Sequence, residues 1–368
     1  MVENFAMIST MKNIVILATG GTIAGAGELG KDIGYKSGSI EAQTLIDAVP
    51  ELKHVANIFV EQVCNINSDD VTSEIWISLA LRIKELSEVG LGASHENVDG
   101  FVIMHGTDTM EETAFFLSLV LNTAKPVVLT GSMRPATAAE PDGPANLLFA
   151  VKSAVELSSR NVIPASEPES SMSSRTPFRD RLSRFAKSVP VFVAFAGKLM
   201  DARTVQKINA NDLDAFAEVG DDSVILSVVE GSLELLSRTP FRDHHLVPSF
   251  DVSALHSLPK VAVLYFNADA DADLVRFAAD RSAGLVIAGA GAGEFSQSWA
   301  AAIADVVAKK IPVAISTRIN CGCIVPEQLL VPGSIAAYGL PPAKAAVLLR
   351  LALTVTRDPV EIQKIFNE

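Results

Sequence analysis

Basic residues are in deficit in this chain: 30 lysines and arginines stand against 43 aspartates and glutamates, a formal net charge of −13. Phosphate binding needs a basic footprint, so this balance argues against nucleic acid as a partner. It also gives no pull toward anionic membrane surfaces. Cysteine is scarce as well. Cys321 and Cys323 are separated by one residue and Cys64 is remote, which is no disulfide framework. Zinc-type sites need more Cys and His at tighter spacing, so no metal is expected, and three reduced thiols suit a reducing compartment. No apolar run approaches the length of a transmembrane helix. The apolar stretch after Lys12 is too short for a secretory h-region and runs directly into a glycine-rich turn. The expectation is a cytoplasmic protein, or a periplasmic one if a leader has been removed.

What the chain has is apolar substance and alternation. Its 368 residues are 49% hydrophobic and 20% charged, ample for well-buried cores and long enough for two domains. Val/Ile-rich strand candidates at 13–18, 57–63, 100–104, 126–130 and 189–195 alternate with helical periods at 39–48, 73–87, 110–121 and 144–157. A second set, strands 261–265, 284–288 and 312–316 with helices 273–280, 298–309 and 342–353, follows. This is the βαβ signature of parallel sheets covered by helices. The expected fold class is α/β with two domains. A larger N-terminal domain, 12–236, holds a mainly parallel sheet with helices on both faces; a smaller C-terminal α/β domain spans 260–368. Residues 237–259, with three prolines and no period, read as the linker. The Ser-rich stretch 161–184 interrupts a helix-to-strand connection and reads as a surface insertion.

The chemistry sits where strands end. Ala18-Thr19-Gly20-Gly21-Thr22-Ile23 follows the first strand and His105-Gly106-Thr107-Asp108-Thr109 follows the third, each placing threonine hydroxyls at a parallel strand's carboxyl end. That is where open α/β sheets bind ligands. Hydroxyl nucleophiles facing a small polar substrate point to amide cleavage. A dinucleotide turn is disfavoured, because residues 20–25 lack the G-x-G-x-x-G spacing and no cofactor is implied. Five glycines between 25 and 38 surround Tyr35, a composition suited to a lid whose phenol reaches Thr22. Asp108 is the candidate for a substrate ammonium, whereas Glu111 and Glu112 read as helix-start charges. His105 reads as structural. Lys207 could serve a neighbouring hydroxyl as a base, though spacing alone does not set it apart from other lysines.

ATGGTIAG at 18–25, HGTDTMEET at 105–113, TGSMRP at 130–135, DGPANL at 142–147 and RTVQKINANDLDAF at 203–216, in that order, resemble the bacterial type II L-asparaginase family. The likeness runs from about Lys12 to Phe366 and breaks at the insertion. It implies a cofactor-free hydrolase of L-asparagine, assembled as a homotetramer with sites at a dimer interface. Thr22 would form the acyl-enzyme with Tyr35 as its partner, and Thr107, Asp108 and Lys207 would activate a hydroxyl or water. Gly21, Ser68, Asp69, Thr107, Asp108 and Ser132 would bind substrate, with Ser68 on the α-carboxylate and N–H groups near Thr107 and Ser132 as the oxyanion hole. The neighbouring subunit would lend Glu327 and Asp269. Three positions depart from the family pattern: Asp69 stands where Gln or Glu is usual, Asp269 where Asn is frequent, and Glu327 is the one acid in its segment near Cys323. These leave a glutaminase-asparaginase open, as the insertion leaves open an inactive relative.

Overall fold

The structure is a computed structural model that describes residues 11–31, 36, 38–160, 191–219, 224–229, 232–238 and 250–367. The insertion 161–184 and Tyr35 lie outside the described residues.

The large sheet begins with β1 (Asn13–Gly20), β2 (Asn57–Ile66), β3 (Gly100–Met104), β4 (Val127–Thr130) and β5 (Val191–Phe195), all parallel, in the spatial order β5-β4-β3-β1-β2. Period two divides β1 cleanly: Ile14, Ile16 and Ala18 face one core, and Val15 and Leu17 face the other. Helices α1 (Ala42–Asp47) and α4 (Gly143–Arg160) cover the first face, and α2 (Ser73–Glu88) and α3 (Met110–Val120) the second. The first helix is shorter than its sequence period suggests, and the chain continues as a 3-10 turn, Pro50–His54.

Past β5 the sheet turns antiparallel, which the sequence reading did not contain. A two-residue hairpin at Ala196 and Gly197, with φ of 48° and 73°, reverses the chain into β6 (Lys198–Asp201). Positive φ at both residues matches the right-handed twist of the flanking strands. A small hairpin of β7 (Val205–Lys207) and β8 (Phe216–Glu218) follows, and β9 (Val224–Val229) and β10 (Ser232–Arg238) complete an eight-stranded sheet. The last strand runs two residues into the segment read as linker; residues 239–249 lie outside the description.

The C-terminal sheet is parallel, in the order β11 (Val261–Tyr265), β12 (Gly284–Gly289), β13 (Val313–Thr317) and β14 (Ile335–Ala336). Its outer face packs on α5 (Asp273–Ala279) and α6 (Gln297–Ala308). Its inner face packs on α7 (Pro342–Val355), and α8 (Pro359–Asn367) ends the chain. One apolar core is continuous from α2 and α3, through Trp76, Phe115 and Phe116, to Leu348 and Leu351 of α7, so the two domains share a buried seam. Among the described residues no helix is long and apolar enough to cross a membrane.

Candidate active site

In the order β4-β3-β1-β2 the chain leaves β1 toward β2 on one side and returns to β3 on the other. The gap between β1 and β3 is therefore the topological switch point, where connections diverge and a crevice opens at the carboxyl ends. Register brings four hydroxyls to that edge. Gly20 pairs with Ile66, Ala18 with Met104 and Met104 with Thr130, so Thr22, Ser68, Thr107 and Ser132 follow four adjacent strand ends within two or three residues.

Glycine lets these ends close up. A methyl group on Gly21, whose φ is +82°, would lie 2.4 Å from the Gly106 nitrogen, and one on Gly106 would lie 2.7 Å from Ser68 Oγ. The first two loops thus meet backbone to backbone, and the Ser68 side chain packs against Gly106. Ser68, nearly buried, accepts from the Asp108 N–H at 3.2 Å, and its carbonyl accepts from Thr109 Oγ1 at 2.6 Å. Asp69 beside it is exposed.

Lys207 arrives from β7, 100 residues after Thr107. Its Nζ donates to Thr107 Oγ1 at 2.9 Å and meets Asp108 Oδ1 at 2.6 Å. Thr107 is 5% exposed, while the Asp108 side chain is 67% exposed, so the hydroxyl is sheltered and the ion pair opens to solvent. A cleft of about 390 Å³ lies against this pair, lined also by Glu111, Ile208, Asn209 and Ala210. Glu111 does more than begin a helix, since its carboxylate accepts the Lys207 backbone N–H at 2.5 Å. Glu112 behind it is held above the usual carboxylate range by burial and by the charge of Glu111.

The loop carrying Ser132 has its own brace. Asp142 accepts the N–H groups of Met133 and Arg134, both at 2.9 Å, and Asn146 bridges Gly131 O and the Ala196 N–H. The letters DGPANL thus hold the loop. Sequence reasoning quoted the motif without finding this role. An Asp and an Asn at i and i+4 opening a helix are the signal that was available.

His105 is structural. It is 1% exposed and faces the Gly106 carbonyl with Nδ1 at 2.7 Å, so Nδ1 carries the proton. Nε2 therefore accepts from Thr113 Oγ1 at 3.0 Å, and that oxygen accepts from Trp76 Nε1 at 2.8 Å. Burial pushes the imidazole down to about 4. Above pH 6.5 the native and unfolded chains both hold it neutral; between 6.5 and 4 the unfolded chain binds the proton and the native one does not. Stability is expected to fall by about 3 kcal/mol as pH drops through that window. Calorimetry at pH 7 and 4.5 should show a larger acid loss of Tm for wild type than for His105→Gln; equal losses would assign the acid limb elsewhere.

Asp269, with φ of 60°, and Glu327, on a 3-10 turn, are both exposed on the C-terminal domain. All three cysteines lie among the described residues and none is in a disulfide.

Two-domain α/β architecture with hydroxyls and a lysine gathered at the switch point defines an amide-hydrolase class. The chain belongs to the asparaginase family. Residues 13–163 match the N-terminal asparaginase family model and residues 260–366 match the glutaminase/asparaginase C-terminal domain. L-asparaginase 2 of Escherichia coli is 37% identical over 97% of this chain and 93% of its own length. A glutaminase-asparaginase of Pseudomonas fluorescens is 34% identical over 97% of this chain and 91% of its own. The crystal structure of a probable cytoplasmic L-asparaginase from Campylobacter jejuni superposes with a TM-score of 0.79 at 36% identity, covering 96% of this chain and 99% of that one. A relative from Haemophilus influenzae, 36% identical over 99% of this chain and 95% of its own length, is named a probable periplasmic L-asparaginase.

Proposed function

We propose that this chain is an L-asparaginase, hydrolysing L-asparagine to L-aspartate and ammonia through an ester on Thr22 and needing no cofactor. The observation that carries the reading is the contact of Lys207 Nζ with Thr107 Oγ1 and Asp108 Oδ1, at 2.9 and 2.6 Å, on the lip of the β1–β3 crevice. Thr22 Oγ1 attacks the side-chain amide carbon, with Tyr35 as its partner, and ammonia leaves with the proton that the hydroxyl gave up. A water activated at Thr107 and Lys207 then attacks the ester, releasing aspartate and restoring the Thr22 hydroxyl. Ser68, Asp69 and Gly21 hold the α-carboxylate and α-amino end, and Asp108 faces the ammonium. N–H groups near Thr107 and Ser132 stabilise the oxyanion, a contribution of about 3 kcal/mol per donor in such sites. Assembly is a homotetramer in which Asp269 and Glu327, exposed on one subunit, complete a neighbour's site. Cysteines outside any disulfide favour the cytoplasm.

A second reading, glutaminase-asparaginase, is favoured by Asp69. Its side chain is one methylene shorter than the family's usual Gln or Glu, which alters the reach to the α-amino group. The test is ammonia release from L-asparagine and L-glutamine at matched low concentration, with Thr22→Ala as control. Release from asparagine that vanishes in the control is expected, and comparable glutamine turnover would select the second reading. No release from either amide by folded, tetrameric protein would refute both and leave an inactive relative.

A further inference from the structure

Lys344 is the one lysine on the buried face of α7, at i with Leu348 and Leu351 at i+4 and i+7, and it is 0% exposed. Its ammonium donates to the carbonyls of Ala202 at 2.9 Å, Arg203 at 2.9 Å and Val205 at 2.6 Å. An ammonium has three donors, and each of these carbonyls takes one, so the contact pattern is filled only by the protonated form. The Phe115 ring lies 5.7 Å from Nζ. Glu111 of α3, Asp201 of β6, Arg203 and Glu218 of β8 are the charged groups that act on it, and burial nevertheless brings the amine down to about 8.

The gripped segment leads straight into the site. Val205 and Lys207 are the first and last residues of β7, two apart, so their side chains share a face. Lys344 fixes the carbonyl at one end of this strand, and Glu111 fixes the Lys207 N–H at the other. Lys207 Nζ then reaches Thr107 and Asp108. A point charge drawing in three carbonyls is a costly way to fill a core where α7 otherwise packs apolar residues. Its return is the placement of one backbone segment against the sheet edge.

We propose that Lys344 is a positioning residue for the amide hydrolysis argued above: from the C-terminal domain it holds the backbone before Lys207 so that the Lys207 ammonium meets Thr107 and Asp108. The inference rests on that functional reading. In the full-length protein, Lys344→Met and the shorter, still hydrogen-bonding Lys344→Gln are compared with wild type by circular dichroism and by steady-state ammonia release from L-asparagine. For folded Lys344→Met, kcat is expected to fall about 10- to 100-fold with KM within about threefold, because a misplaced catalytic group weakens the transition state and not ground-state binding. Added to Lys207→Met, the same substitution should change the residual kcat less than about twofold, since it acts through a group already removed. Wild-type kcat in a folded variant, a rise in KM alone, or an equal fractional loss in both backgrounds overturns the proposal. Failure of both variants to fold also overturns it, by making Lys344 a structural residue only. An inactive wild type would sink the amide reading separately, before any variant is compared.

Discussion

Lys207→Met should lower kcat for L-asparagine about 1,000-fold while leaving KM within about threefold, the signature of a group that acts on protons in the transition state. The Nζ lies 2.9 Å from Thr107 Oγ1, within reach of the proton on a hydroxyl that is itself 5% exposed. The other partner gives little stability. Asp108 is 67% exposed at its side chain, and an ion pair so open to solvent contributes about 1 kcal/mol or less. Methionine keeps the length of the stem and leaves the backbone bond to Glu111 in place, so the variant is expected to fold. Lys207→Arg separates two accounts of the residue. Arginine keeps the charge beside Asp108 but does not give up its proton in proteins. If Lys207 exchanges a proton with Thr107, arginine is as poor as methionine; if it supplies only charge, arginine recovers most of the rate. Steady-state ammonia release decides, and a methionine variant within tenfold of wild-type kcat would remove Lys207 from the chemistry.

Thr22 and Thr107 could be read from sequence because each follows a buried parallel strand by two or three residues; Ser68, after the half-buried β2, and Ser132 were marked only by the family resemblance. Val/Ile-rich runs such as Ile14–Leu17 and Phe101–Met104 announce their strands locally, and the position of Thr22 and Thr107 is then fixed by the place where the run stops. Lys207 had no such local mark. It stands in a three-residue strand, its own contacts Thr107 and Glu111 lie about 100 residues away, and only the family resemblance raised it above the other lysines. The antiparallel strands β6 and β10 escaped for a related reason: their pairing partners, rather than a strong apolar period, define them, whereas β9, with the letters VILSVV, is a Val/Ile run of the same kind as those of the parallel strands. Lys344 did leave a sign, a cation at the apolar spacing of an otherwise buried helix face. What it binds, carbonyls some 140 residues earlier, is decided by how the two domains meet.

Gly21→Ala should cost the protein both stability and activity, out of proportion to the one methyl group it adds. At φ +82° any L side chain is strained, and here the new Cβ would stand 2.4 Å from the Gly106 nitrogen and 2.5 Å from its Cα. Those are backbone atoms of the adjoining strand end, which no rotamer change moves aside. To admit the methyl group, the end of β1 must separate from the end of β3, at the point where the Thr22 and Thr107 loops leave the sheet. Strain and steric overlap together are expected to cost about 3–5 kcal/mol of stability. Activity should fall further than stability explains, by at least about 100-fold in the folded fraction, since a displacement near 1 Å of catalytic groups has that effect. Gly92→Ala, between α2 and the start of β3 and so at the far end of that strand from Thr107, is the control. Its φ is +58°, also left-handed, but a methyl group there meets nothing within 4 Å, so only the conformational cost of about 1–2 kcal/mol applies. Thermal denaturation and kcat measured on both variants separate backbone strain from collision. If Gly21→Ala matched Gly92→Ala in both, the two strand ends could not be as closely apposed as the site requires.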